Sequence, residues 1–210
     1  MLKLVLAASA AVSVMAVTGA ASAAINVSLW EDQTAAAQNA TIGQASTLGS
    51  PSAMTTVNAL NFSTGNSDAT TVDQFLGTSI GGAAGGHALN NTYFLFTGST
   101  FLHAGANNFV VPHDDGLQLN IDGIGLVVDA PGPTGVVFTP FTVNAPTSGF
   151  YNFELSYGEC CGGPAAIQFT VNGQPGGGVP EPAVWAMMLA GFGLVGATLR
   201  GSRRRELALA

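Results

Sequence analysis

Between Ala24 and Gly178 the chain has no lysine and no arginine. Its five basic residues, Lys3, Arg200, Arg203, Arg204 and Arg205, all lie near the two ends. The central stretch holds ten carboxylates, so it carries a charge near −10 where the whole chain shows −7. Such a surface excludes nucleic acid and makes anionic lipid a poor partner, because both are bound through Lys and Arg; divalent cations suit it better. The lack of cations also removes the usual stabilisers of anionic intermediates. A hydrolytic pair drawn from Glu154 or Glu159 with Asp115 would stand without that support, so the residues do not argue for an enzyme. Cysteine is almost as scarce. Cys160 and Cys161 are the whole complement and adjacent, and the absence of Cys-x-x-Cys spacing argues against zinc. Charged residues make up only 8% of the chain, so solubility rests on Asn, Thr, Ser and Gly as well.

What is present is clearest at the ends. Lys3, an apolar stretch from Leu4 to Val17 and the small-x-small sequence Ala21-Ser22-Ala23 read as a secretory signal peptide over residues 1–23, removed after Ala23. At the other end come Val179-Pro180-Glu181-Pro182, an uncharged run from Val184 to Leu199, and the arginine cluster. The run is sixteen residues, below the ~20 of a comfortable membrane span, and the arginines after it resist translocation. That reads as a temporary anchor, with an ordinary C-terminal membrane helix as the alternative. The order and wording closely resemble the PEP-CTERM sorting signal of exopolysaccharide-producing Gram-negative bacteria, over residues 180–205, with Pro180, Glu181 and Pro182 as the tripeptide. The resemblance implies that an exosortase is the partner that cuts near the motif. It implies an exported protein, anchored transiently in the inner membrane through a C-terminal hydrophobic helix and then held at the cell surface or in an exopolysaccharide matrix.

Residues 24–173 are long enough for one domain with a single core. Ile25, Val27 and Leu29 alternate as an opening strand, Thr71 to Leu76 reads as a helical turn, and Ile80 to Gly86 as a small-residue loop. From Thr92 the pattern is β: Tyr93 to Phe101 with a Gly interruption, Asn108 to Val111, and Leu117 to Ile121. An Asp122-Gly123 turn then precedes Gly125 to Asp129, Val136 to Val143, Phe150 to Tyr157 and Ala166 to Val171. Short strands with turn residues between them predict an all-β fold, an antiparallel β-sandwich of jelly-roll type. Residues 174–179 read as a Gly-rich linker to the sorting motif.

The segment His113-Asp114-Asp115-Gly116 stands out because two adjacent carboxylates face one partner comfortably only with a cation between them. Phe109-Val110-Val111-Pro112 leads into it; Leu119-Asn120-Ile121-Asp122-Gly123, Gly149-Phe150-Tyr151, Tyr157 and a Gly162-Gly163 loop follow. Together these resemble the protective-antigen-type (PA14) β-sandwich shared with yeast flocculin and related adhesin domains. In sugar-binding members an Asp-Asp pair holds calcium, and calcium bridges to sugar hydroxyls. The resemblance therefore implies Asp114 and Asp115 as calcium ligands, and Glu159, Cys160, Cys161, Gly162 and Gly163 as a glycan-binding loop. Ca²⁺ takes six to eight oxygens, so carbonyls, waters or Glu159 would complete the shell. The competing reading is a structural Asp-Asp-Gly turn in a matrix or adhesion protein with no small ligand; an extracellular hydrolase is the third. In an oxidising compartment Cys160 and Cys161 either form a vicinal disulfide or pair with another chain. A vicinal bond makes a flat loop tip, either a surface for a sugar ring or a plain staple. His87, His103 and His113 lack metal spacing and read as surface positions.

Overall fold

Residues 24–138 and 140–177, with Gly191 and Phe192, are described by a computed structural model. The expected signal peptide and, but for Gly191 and Phe192, the C-terminal signal lie outside the described residues. The chain divides into two units, and the larger, Ala21–Pro180, contains every strand below. The other, Met1–Ala20 with Glu181–Ala210, falls almost wholly outside the described residues.

The alternating segments become strands in chain order. They are β1 (Ile25–Trp30), β2 (Ala53–Val57), β3 (Asn61–Thr64), β4 (Thr92–Leu102), β5 (Gly105–Val110), β6 (His113–Asp114) and β7 (Leu117–Ile121). After them come β8 (Gly125–Ala130), β9 (Pro140–Ala145), β10 (Gly149–Glu159), β11 (Ala165–Gln168), β12 (Thr170–Val171) and β13 (Gln174–Pro175). One layer is an antiparallel six-stranded sheet in the order β2-β1-β4-β10-β7-β8. The opposing layer is made of β3-β11-β6 and β13-β12-β5-β9, joined where β11 runs into β12 through Phe169.

Both layers bury one face. Ile25, Val27, Phe94, Phe96, Leu119, Phe153 and Leu155 from the large sheet share a core with Phe109, Val143, Ile167 and Phe169 from the other layer. Complete burial of each such side chain contributes about 1.5–3 kcal/mol. The result is the antiparallel β-sandwich expected from the alternation. This unit closes its own core, so residues 24–180 can fold without the flanking segments.

Helices are short. α1 (Thr34–Ala37) and a 3₁₀ turn at Ile42–Ser46 cross the outer face of the large sheet at one end. There Ala36 and Ala40 cover Trp30 and Tyr93, and the Ser156 hydroxyl donates to the Ala40 carbonyl at 2.6 Å. Gly158 makes the crossing possible, since a Cβ there would lie 2.2 Å from the Ala37 carbonyl oxygen. α2 (Val72–Leu76) starts with a capping box between Thr71 and Gln74 and buries Val72, Phe75 and Leu76.

Several boundaries differ from expectation. β4 passes unbroken through Gly98, because the Phe153 ring lies against that position and a Cβ would sit 3.0 Å from it. The small-residue loop at 80–86 contains a helical turn, α3 (Gly82–Gly85), which buries Ala84. The strand expected from Val136 starts at Pro140, and Val137 instead exchanges backbone hydrogen bonds with His113. The expected linker at 174–179 begins as strand: Gln174 and Pro175 pair with β12, and the Gly176 N–H donates to the Phe169 carbonyl at 2.8 Å.

Candidate functional site

β6 belongs to the smaller layer, where Asp114 pairs with Ala166 on β11, and β7 belongs to the large sheet. Asp115 and Gly116 therefore carry the chain from one layer to the other. The Asp114–Asp115 peptide bond is cis. Gly116 is needed for close approach, since a Cβ would lie 2.1 Å from the Pro131 carbonyl oxygen and 2.8 Å from that of Gly132.

Both aspartates are nearly closed off, at 4% and 5% exposed. The Asp115 carboxylate accepts from the Thr134 N–H at 3.0 Å and from the Cys160 N–H at 2.9 Å. Burial, with the adjacent Asp115 carboxylate, pushes Asp114 up to about 6. At the end of β10, Glu159 is fully buried; burial pushes it up to about 8, and Asp115 and Asp114 add to the rise. The Tyr157 hydroxyl contacts the Asp114 carbonyl oxygen and lies 2.8 Å from Glu159 Oε2. Its one proton serves only one of these oxygens at a time. A protonated Glu159 satisfies both contacts, its carboxyl O–H donating to the tyrosine oxygen. The other Glu159 oxygen has no hydrogen-bond partner among the described residues, although the Ser67 side chain lies beside it.

His113 is 1% exposed, which corrects the surface position expected for it. β6 places it inside, where its Nδ1 lies 2.7 Å from the Asp115 carbonyl oxygen, and burial lowers its pKa. His87, by contrast, is part-exposed with Nε2 3.5 Å from Asp32.

The loop after β10 stands next to these acids. Cys160 is buried and Cys161 exposed, and their sulfurs are bonded to each other. Cys161, Gly162 and Gly163 all have positive φ. The Gly163 carbonyl accepts from the Ser67 N–H at 2.7 Å, and Gly162 rests against the Asp68 carboxylate. Asp115 and the two cysteines bring ligand-type atoms within 4.8 Å of one another. A disulfide offers no thiolate, so the available donors are hard carboxylate oxygens.

The structure thus brings Asp114, Asp115, Glu159 and the Cys160–Gly163 tip together. Ser67, Asp68 and Thr134 join them from distant segments. Asn66-Ser67-Asp68 has turn chemistry legible in the sequence, and Asn66 Oδ1 accepts from the Asp68 and Ala69 N–H groups; the turn's destination is not legible. The sequence also spells Gly-x-Ser-x-Gly once, at Gly77-Thr78-Ser79-Ile80-Gly81. That stretch follows helix α2, with Gly77 as its left-handed cap, and so lacks the strand–turn–helix setting of a nucleophile elbow. Asp122 lies in the turn between β7 and β8, where its N–H donates to the Asn152 carbonyl.

Residues 178–205 match the PEP-CTERM protein-sorting motif, so the chain carries the signal of an exported, exosortase-sorted protein. No curated protein matches the chain. Among solved structures, the PA14 domain of the MpAFP antifreeze protein aligns with a TM-score of 0.56 and 19% identity, covering 77% of this chain and 87% of that one. A PA14 sugar-binding domain from an RTX adhesin aligns with a TM-score of 0.54 and 16% identity, covering 74% of this chain and 99% of that one. At these identities the likeness shows the fold: the described domain is a PA14-like β-sandwich.

Proposed function

We propose that this protein is a non-catalytic, calcium-dependent glycan-binding module, presented at the cell surface or within an extracellular polysaccharide matrix after exosortase processing. The observation that carries the reading is the burial of Asp114, Asp115 and Glu159 together, in a domain whose described residues include no lysine or arginine. Buried carboxylates need a proton, hydrogen-bond donors, a cationic side chain or a metal ion. Backbone N–H groups serve Asp115, and for Asp114 and Glu159 a proton or a metal supplies the rest. The donors fit calcium: they are hard oxygens, and one Glu159 oxygen has no partner among the described residues. Asp114 and Asp115 would hold the ion, with carbonyl oxygens and waters completing the shell. Bound calcium supplies a positive centre for sugar hydroxyls. The Cys160–Gly163 tip, held by Asp115 and Ser67, would shape the rim against which a sugar ring rests. The sugar-binding PA14 domain of the RTX adhesin supports this reading by analogy of fold alone.

One observation favours the alternative of a matrix component without a ligand. Both Asp115 oxygens already accept backbone N–H groups, so this residue ties loops together whether or not a metal is present. A glycan array probed with residues 24–180 in calcium and in EDTA separates the two. The calcium-dependent reading predicts at least one spot that is present in calcium and lost both in EDTA and in the Asp114→Asn, Asp115→Asn variant. An array on which no spot depends on calcium would overturn it.

A further inference from the structure

The outer face of the six-stranded sheet is built differently at its two ends. At one end the segment around Ala40 and Ile42 covers it, held by Ser156 and by Gln118, whose Oε1 accepts from the Ile42 N–H at 3.0 Å. Toward the other end it is open. Phe150, Asn152 and Glu154 of β10 are exposed, while Tyr151 and Phe153 between them are half-buried and buried, and Leu155 after them is buried. Their register partners on β4 are Phe101, Ser99 and Thr97; Asn26 stands opposite Thr97, and Asn120 opposite Glu154. Directly paired residues project to the same face, so these side chains form three successive rows across the sheet. Asn152 Nδ2 donates to Asp122 Oδ2 at 3.2 Å, which adds Asp122 to the middle row.

An open groove of about 420 Å³ lies over these rows, with Asn26, Thr97, Ser99, Asp122, Asn152 and Glu154 in its lining. The next row of the sheet, beyond the groove's lining, carries an aromatic pair: the Phe101 and Phe150 rings meet edge to face at 5.3 Å, and Phe150 is 50% exposed. From the Phe150 row to the Glu154 row the strand advances by about 13 Å.

We propose that this groove is a second glycan-binding site, independent of calcium, for two or three consecutive neutral sugar residues. The chemistry of the floor selects the ligand class. Amides and hydroxyls offer both donors and acceptors, and the carboxylates accept from hydroxyl groups. No lysine or arginine lines the groove; its one cation is the α-ammonium that cleavage after Ala23 would leave on Ala24, in a lining that also holds two carboxylates. Asp122 and Glu154 repel polyanions, which leaves a neutral polyhydroxyl chain. An exposed phenylalanine face with negative quadrupole receives the C–H face of a pyranose ring, while the polar rows fix the orientation of its hydroxyls. The site shares no residue with the Asp114–Asp115 cluster, and on β10 Glu159 lies about 17 Å beyond Glu154. The inference rests on the reading of the domain as glycan-associated, yet each site can fail without the other.

The test is titration of residues 24–180 in EDTA with neutral hexasaccharides of glucose, xylose, mannose and galactose, and with an anionic galacturonate hexamer. Calorimetry and amide chemical shifts follow the binding. The groove predicts that at least one neutral hexamer binds in EDTA and shifts the Thr97, Ser99 and Asn152 amides. Phe150→Ala and Asn152→Ala, both surface changes, should each weaken that binding by about tenfold, equivalent to about 1.4 kcal/mol. The Asp114→Asn, Asp115→Asn variant should leave it unchanged. The proposal is overturned if no neutral hexamer binds in EDTA, if binding survives both groove variants, or if the galacturonate hexamer is preferred. Loss of calcium-dependent binding alone would instead count against the loop site.

Discussion

The burial of Glu159 predicts how the metal-free protein responds to pH above 6.5. Its folded pKa, about 8, stands above the ordinary 4.5, so between those values the folded chain keeps a proton that the unfolded chain has released. Stability from this group is complete below the lower value and is lost as pH rises towards the upper one. Asp114 acts in the same sense between 3.8 and about 6. His113 runs the other way: burial lowers its pKa, so the unfolded state takes up a proton the folded state refuses, and stability falls as pH drops below 6.5. Above pH 6.5 the Glu159 contribution dominates these three, with a slope of at most about 1.4 kcal/mol per pH unit. In EDTA the melting temperature should therefore fall between pH 6.5 and 8, and Glu159→Gln should flatten that fall. An unchanged slope in the variant would place the titrating group elsewhere.

Among the elements, the crossing from β6 to β7 depends on backbone packing as much as on its acids. Gly116 lies under the Pro131 and Gly132 carbonyls, neither of which belongs to a flexible side chain. Gly116→Ala should destabilise the domain by about 1–3 kcal/mol, as overpacking does, and lower its melting temperature. Gly149→Ala, at a position with nothing within 4 Å, serves as the control and should leave it near wild type. Equal melting temperatures for the two variants would show that the crossing relaxes freely. The strands of this layered fold were legible wherever one face is buried: Ile25, Val27 and Leu29, or Leu117, Leu119 and Ile121, alternate because only one face meets the core. β13 was not legible, because Gln174 and Pro175 are polar or rigid and pair through backbone alone. Nor was the burial of His113, which follows from its bridge to Val137 across a long loop. Asp114 and Asp115 were visible as candidates, while Ser67 and Thr134 reach the same cluster through backbone contacts that residue type does not encode.

For the whole molecule, charge ties the two ends to the middle. The basic residues lie near the termini, beside or within the segments that resemble export and sorting signals, and the domain between them carries ten carboxylates with no lysine or arginine. Seven of the ten are spread among more open positions, and three are buried as one cluster. A cation bound there would ionise Asp114 and Glu159 and release protons, and it would be held more tightly as pH rises. The most direct test is calcium titration calorimetry of residues 24–180 at neutral pH, in two buffers of different ionisation enthalpy. Saturable binding with proton release, lost in the Asp114→Asn, Asp115→Asn variant, is the predicted result. No binding at millimolar calcium, or binding that survives the double variant, would contradict the reading of this acid cluster as a calcium site.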